Sequence, residues 1–358
     1  LRLRVMGFSD RERGKGPIYG FCVVFGALFA VVVAIAAKHF HTSMVPVDPI
    51  IWTPLPLPTF EGPTAPNNKL AATKKLYVGE LPGPEAFAID KQGRLYTGLA
   101  DGRVVRSMSR FDPDGTVPFE TLVSMGSHPH TVCTNISIEP ECGRPLGLAF
   151  DLQGNLLVCD SYAGLVRLNL SPSGDYLSKE VLISEVEGLP LRFANAIVVS
   201  PTGRVFFTDS STKYHRRHWI YDAMESRALG RLIEADLETR TAKVLARGLH
   251  FANGLTLSPD GTYLLISETT RSRIMKYSLS GPTAGSLTVF VENLPGIPDN
   301  IVLSHKSGLV WVGFAIKRTR PFSVFDFLAD KPWIRLAIAR LLPVVKYPFL
   351  DLLGRNMG

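Results

Sequence analysis

No charged side chain interrupts residues 18–37 (IYGFCVVFGALFAVVVAIAA), and no basic stripe with interleaved aromatic residues occurs anywhere in the 358-residue chain. The second absence excludes nucleic acid as a partner: the 39 Lys and Arg behind the net charge of +7 are scattered. The first marks a stretch about long enough to cross a hydrocarbon core at ~1.5 Å per residue, so residues 18–37 are expected to be a spanning helix through which the protein contacts the lipid bilayer. A cleaved signal peptide fits less well, since its apolar region is usually about 7–15 residues and Lys38-His39-Phe40-His41 makes a poor cleavage site. Alternation of strands with helices is also missing, which excludes a parallel α/β sheet. Cysteine is sparse, with four in the chain.

Arg2, Arg4, Arg11, Arg13 and Lys15 precede the apolar run, whereas Lys38 is the only Lys or Arg close behind it. The positive-inside rule then leaves residues 1–17 in the cytoplasm and places the rest outside, a type II topology in the plasma membrane or endoplasmic reticulum. Residues 38–75 carry many prolines (Pro46, Pro49, Pro54, Pro56, Pro58, Pro63, Pro66) and read as a stiff, extended stalk, with the folded domain at 76–358. An oxidising compartment permits disulfides. Cys133 and Cys142 flank a short loop, CTNISIEPEC, and are expected to pair, while Cys159 lies in an apolar strand as a free thiol and Cys22 falls within the span. Asn135-Ile136-Ser137 in that loop is a glycosylation sequon. Asn169-Leu170-Ser171 is a weaker one because Pro172 follows.

Five segments share one layout of apolar stretch, Gly-ended turn and second strand: FAIDKQGRLYTG (from Phe87), LAFDLQGNLLVCD (from Leu148), IVVSPTGRVFFTD (from Ile197), LTLSPDGTYLLIS (from Leu255) and IVLSHKSGLVWVG (from Ile301). Their turn glycines, Gly93, Gly154, Gly203, Gly261 and Gly308, recur at roughly the 40–60 residues of a four-stranded propeller blade. Third strands follow in ADGRVVRSM, YAGLVRLNL, GRLIEAD and RSRIMKYSL. The predicted fold is an all-β propeller. A β-sandwich also has many short strands but lacks a recurring unit of this length. Five units are visible, and the chain begins at Leu1 and stops at Gly358 without room for another, so it is expected to be incomplete. From Pro321, PFSVFDFLADKPWIRLAIARLLPVV has helical spacing, either packed on the propeller or lying on a membrane beside Arg335 and Arg340.

Eight residues before each turn glycine stand Glu85, Leu146, Asn195, Asn253 and Asn300, with Asp299 beside the last. Each alone is an ordinary turn residue. In register on a radial fold they form a ring, and such a ring of carboxylates and carboxamides is costly unless a cation or a hydrogen-bond network satisfies it. Oxygen donors with two negative charges, Glu85 and Asp299, and no His or Cys suit Ca2+ better than Zn2+.

The segments CGRPLGLAFDLQGNLLVCDSYAGL (from Cys142), GRVFFTDSSTKYHRR (from Gly203), FANGLTLSPDGTYLLISETTRSRI (from Phe251) and LPGIPDNIVLSHKSGLVWVG (from Leu294) resemble strictosidine synthase-like proteins. The resemblance runs from about residue 70 to the end. It implies a six-bladed propeller, with the sixth blade largely missing here, and a type II topology. It also implies kinship with paraoxonases and gluconolactonase-type enzymes, whose calcium ligands fall at Glu85, Asn195, Asn253 and Asp299, with Asn300 as an added neighbour. Two departures matter. Those lactonases carry a histidine where this chain has Leu146, and the late glutamate of the condensing enzymes lies in a region outside this chain. His128 and His130 precede Cys133 in a loop that could approach the mouth. The activity implied is hydrolysis of small aryl esters or lactones, with Glu85, Asp299 and His130 as weak catalytic candidates. The alternatives are a non-catalytic cell-surface binding module with structural calcium and, last, a strictosidine synthase-type condensing enzyme.

Overall fold

The computed structural model describes residues 46–342 apart from 116, 129–132, 134 and 305. The expected span at 18–37 and His130 lie outside the described residues.

The repeats become four meanders of four antiparallel strands. The first blade is β1 (Phe87–Ile89), β2 (Leu95–Gly98), β3 (Arg103–Ser107) and β4 (Phe119–Ser124); the second is β5 (Pro145–Phe150), β6 (Leu156–Asp160), β7 (Gly164–Leu170) and β8 (Tyr176–Ile183). A short ribbon, β9 (Glu185–Val186) and β10 (Leu189–Pro190), leads to the third blade, β11 (Ala194–Val199), β12 (Val205–Asp209), β13 (Gly230–Asp236) and β14 (Thr241–Leu249). The fourth holds β15 (Ala252–Leu257), β16 (Tyr263–Glu268), β17 (Arg273–Ser278) and β18 (Leu287–Val291), and a two-stranded sheet follows, β19 (Gly296–Leu303) with β20 (Val310–Lys317). The first strand of each sheet packs against the first strand of the next, so β5, β11, β15 and β19 line the axis.

Each turn glycine has positive φ, from +68° at Gly308 to +92° at Gly154, the backbone that ends a tight hairpin and that side chains resist. The acidic or hydroxyl residue three positions earlier closes the turn. Asp90, Asp151, Ser200 and Ser258 accept through their carbonyls from Gly93, Gly154, Gly203 and Gly261.

Both faces of the middle blades are covered, so the second strands are apolar on both sides. Val205 and Phe207 face the second blade with Leu157, Leu165 and Ile183, whereas Phe206 turns to the fourth with Leu255, Leu264 and Ile266. At the two ends of the series this cover stops: Phe87 and Ile89 on β1 and Val302, Trp311 and Phe314 on β19–β20 are exposed.

The expected helical tail is two helices, α3 (Val324–Leu328) and α4 (Pro332–Leu341), separated at Pro332, which is tolerated in a first turn but not inside a helix. They follow the end of β20, the end at which the axis-lining strands begin. Another helix, α2 (Trp219–Glu225), sits in the β12–β13 connection at the same end, and a short α1 (Glu139–Cys142) precedes β5 there. Ile338, Ala339 and Leu342 pack on Tyr214, Tyr221 and Met224, so one face of α4 is docked on the propeller. The proline-rich segment expected as a stalk is extended, but from Pro46 to Leu57 it is laid along this helical cap rather than standing clear of it. Tyr214 donates its hydroxyl to Pro46 O at 2.8 Å, Ile50 N donates to Glu225 O, Trp52 N to Ala329 O, and Arg318 and Arg320 donate to Leu55 O and Leu57 O. Cys133 and Cys142 are joined by a disulfide, and Cys159 is buried and free.

Candidate functional site

At the start of each axis-lining strand from the second blade on, the ladder skips. Ala194 pairs with Asp209 and the next partner is Ile197 with Phe207; the same break falls between Pro145 and Leu148, Ala252 and Leu255, and Pro298 and Ile301. Two residues therefore oppose one in every case: Leu146-Gly147, Asn195-Ala196, Asn253-Gly254 and Asp299-Asn300. A bulge of this kind re-aims side chains at the rim of a sheet. Every ring residue after Glu85 sits in one.

The bulges also lock successive blades together. A Cβ on Gly147 would lie 2.4 Å from Asn195 O, and one on Gly254 would lie 2.5 Å from Ile301 N and 2.6 Å from Asp299 O, so these positions admit no side chain without movement of the neighbouring backbone. Hydroxyls at the ends of the second strands of the third and fourth blades complete the joint. Thr208 Oγ1 accepts from Ala196 N at 3.0 Å and donates to Asn253 O at 2.8 Å. Ser210 Oγ donates to Ala252 O at 2.7 Å and accepts from Asn195 Nδ2 at 2.9 Å, and Thr269 Oγ1 donates to Pro298 O at 2.9 Å.

The bulge register equates Asp299, not Asn300, with Asn195 and Asn253. Counting back eight residues misses this because the last turn is one residue longer: Gly308 N reaches back four positions to Ser304 O, where the earlier turn glycines reach back three.

The structure brings Glu85, Asn253, Asp299 and Asn300 together. Asn253 Nδ2 donates to Asp299 Oδ1 at 2.6 Å, and Asn300 Nδ2 donates to Glu85 Oε1 at 3.3 Å across the gap between the fifth sheet and the first. Burial pushes the Asp299 carboxyl up to about 6, the charge of Glu85 adds to the rise, and the Asn253 amide and Arg216 oppose it. Asn195, 4% exposed, occupies the equivalent bulge one blade away, its amide turned to Ser210. Among the described residues no group of three or more His, Cys, Asp or Glu could hold a metal; the set here is mixed carboxylate and carboxamide. Its fit to a hard cation rests on Asn253 Oδ1, which is buried without a hydrogen-bond partner next to the partly buried carboxylate of Asp299.

Leu146 takes the remaining ring position and packs with Phe193, Phe251 and Trp219, an apolar wall with Phe193 and Phe251 edge-to-face at 5.4 Å. Several residues beside the ring were not singled out in the sequence. Arg144, 4% exposed, places NH2 3.6 Å from Glu85 Oε2 and donates through NH1 to Gly83 O. Burial lowers its pKa, and neighbouring Arg216 lowers it further. Arg216 is itself held by Glu139, whose other oxygen accepts from Tyr162 at 2.5 Å. The only available signal was their place just before a repeat or just after a second strand. His128 contacts Glu141 at 2.7 Å on the surface, and Asn135 is exposed with its side-chain oxygen accepting from Ser137 N.

The chain matches the family description "Strictosidine synthase" over residues 195–282 and "Strictosidine synthase-like, N-terminal" over residues 62–107. It is 40% identical over 341 residues to the adipocyte plasma membrane-associated protein of Gallus gallus, covering 93% of this chain and 78% of that protein. Protein STRICTOSIDINE SYNTHASE-LIKE 13 of Arabidopsis thaliana is 39% identical over 291 residues, 79% of this chain and 68% of that protein. A solved gluconolactonase of Xanthomonas campestris overlaps with a TM-score of 0.48 at 18% identity, over 66% of this chain and 71% of that one. With two family descriptions matched and relatives of this identity aligned along most of their length, the chain belongs to the strictosidine synthase-like family, alongside the adipocyte plasma membrane-associated proteins.

Proposed function

We propose that this propeller holds Ca2+ at its mouth and hydrolyses small aryl esters or lactones there, anchored by residues 18–37 with the propeller outside the cytoplasm. The observation that carries the reading is Asn253 Oδ1, buried and unpartnered beside Asp299 at the meeting point of strands from separate blades. Glu85, Asn195, Asn253 and Asp299 would hold the ion, with Asn300 steadying Glu85. Bound Ca2+ supplies a Lewis acid that polarises an ester carbonyl and stabilises the charge developing on its oxygen. The wall of Leu146, Phe193, Phe251 and Trp219 takes the aryl or alkyl part of the substrate and excludes water from that side. Arg144 sets a positive charge 3.6 Å from Glu85 and holds that side chain at the mouth. Of the catalytic candidates, Asp299 retains one carboxylate oxygen free of the Asn253 bond to receive a proton from water.

A surface binding module with a structural ion is favoured by one observation: Leu146, at the place of a base, is packed into the apolar wall and offers no proton acceptor. Phenyl acetate turnover separates the two. With the hydrolase reading, turnover by the protein requires calcium and falls at least about tenfold in Asn253→Ala, equivalent to ~1.4 kcal/mol of transition-state stabilisation. Turnover unchanged in that variant would place ester cleavage elsewhere, and calcium binding without turnover would leave the binding module.

A further inference from the structure

The helical cap at the mouth end carries an uncovered apolar surface. Phe322, Val324, Phe327 and Trp333, the last 70% exposed, stand on and around α3 and the first turn of α4, and Ile51 and Leu55 stand on the strap laid beside them. The surface is built, not frayed. Phe322 and Phe327 pack as a tilted pair with ring centres 5.1 Å apart, Lys331 Nζ sits 4.3 Å over the Phe327 ring, and Ser323 caps α3. Arg335, 2% exposed, clamps strap to cap by donating to Met224 O, Ala329 O and Ile50 O. The acids nearby are neutralised: Asp326 by Arg318, Asp330 by Lys331 and Asp48 by Arg227. Exposed aromatic rings with cations over or beside them, and acids paired as Asp326, Asp330 and Asp48 are, make the composition of a membrane–water interface.

What covers this surface follows from where the chain comes from. The strap is docked from Pro46 onward. Only residues 38–45 separate it from the uncharged run 18–37, and eight residues reach at most about 30 Å fully extended. The cap therefore cannot stand far from the end of a span at 18–37.

We infer that the mouth end of the propeller lies on the lipid surface, with Phe322, Phe327 and Trp333 set into the interface and the candidate site opening beside the bilayer. The inference rests on the span of the proposed function. It tells which esters reach the site: those partitioned into or lying on the membrane, which arrive beside the wall of Phe193, Phe251 and Trp219 without crossing bulk water.

The test uses the full chain reconstituted one copy per nanodisc in phosphatidylcholine, with and without bromine on the acyl chains, and reads tryptophan emission. The expected result is quenching by brominated lipid that falls at least twofold in Trp333→Phe, an exposed and conservative change. A chain not retained by the discs after an alkaline wash overturns the span and this inference with it. A chain that is retained but whose quenching is absent, or unchanged in Trp333→Phe, overturns the inference alone. Shielding of Trp333 from aqueous iodide only when two copies share a disc would assign the patch to a second copy and likewise overturn it.

Discussion

Asp222 on α2 is fully buried, with neither carboxylate oxygen in hydrogen-bonding geometry with a partner. Burial pushes its pKa up to about 8, against a weaker opposing pull from the Ser211 hydroxyl. The folded protein thus keeps a proton that the unfolded chain releases above about pH 4, so this group's contribution to stability falls as pH rises from about 4 to 8. Asp222→Asn should raise the melting temperature at pH 8 and flatten its dependence over that window; a variant that melts lower at pH 8, with the slope intact, would show the carboxylate to be satisfied. Nothing in the sequence marked Asp222, because its burial depends on how α2 folds against the end of the third blade, where Asp209, Ser211 and Lys213 lie. The ring residues were more visible: Asn195 and Asn253 stand in register with repeats whose turns share one length. Asp299 was separable from Asn300 only through the longer turn before Gly308, and the role of Thr208 and Ser210 as bolts between blades depends on pairing that a single strand does not reveal.

At the scale of elements the bulge is the working part. It gives the first residue of the pair to the mouth and the second to the neighbouring blade, which is why the second is Gly147, Ala196 or Gly254 at the closest joints. Gly254→Ala should lose roughly 1–3 kcal/mol of stability through overpacking, read by denaturant unfolding, and should loosen the Asn253–Asp299 pair along with it. An unchanged unfolding midpoint would mean that β15 and β19 separate freely there. The blades were legible because Gly-ended turns and two-sided apolar strands are local features. The strap was not: its partners are buried arginines reaching backbone carbonyls, at Arg318 and Arg335, and a carbonyl acceptor leaves no trace in residue type. The tail helices could be foreseen as helical, but which face was docked depended on Tyr214, Tyr221 and Met224 waiting on another blade.

For the whole molecule, the propeller turns a linear repeat into a ring in which distant residues meet. Glu85 and Asn300, 215 positions apart, touch across the mouth, and Asn253 and Asp299 bind one another from adjacent blades. The same arrangement puts the helical cap, the strap and the candidate site at one end, so the proposed anchoring and the proposed chemistry would share a single face. All of it depends on whether the convergent oxygens hold an ion. The most direct measurement is the melting temperature of the intact protein after chelation and again after calcium is restored, compared with Asn253→Ala and Asp299→Asn. A site of this kind should give a midpoint that drops on chelation, returns with calcium, and does neither in the two variants; a ligand at about a hundred times its dissociation constant adds ~2.7 kcal/mol. A midpoint indifferent to both treatments in the unaltered protein would contradict the calcium site and the hydrolysis built on it.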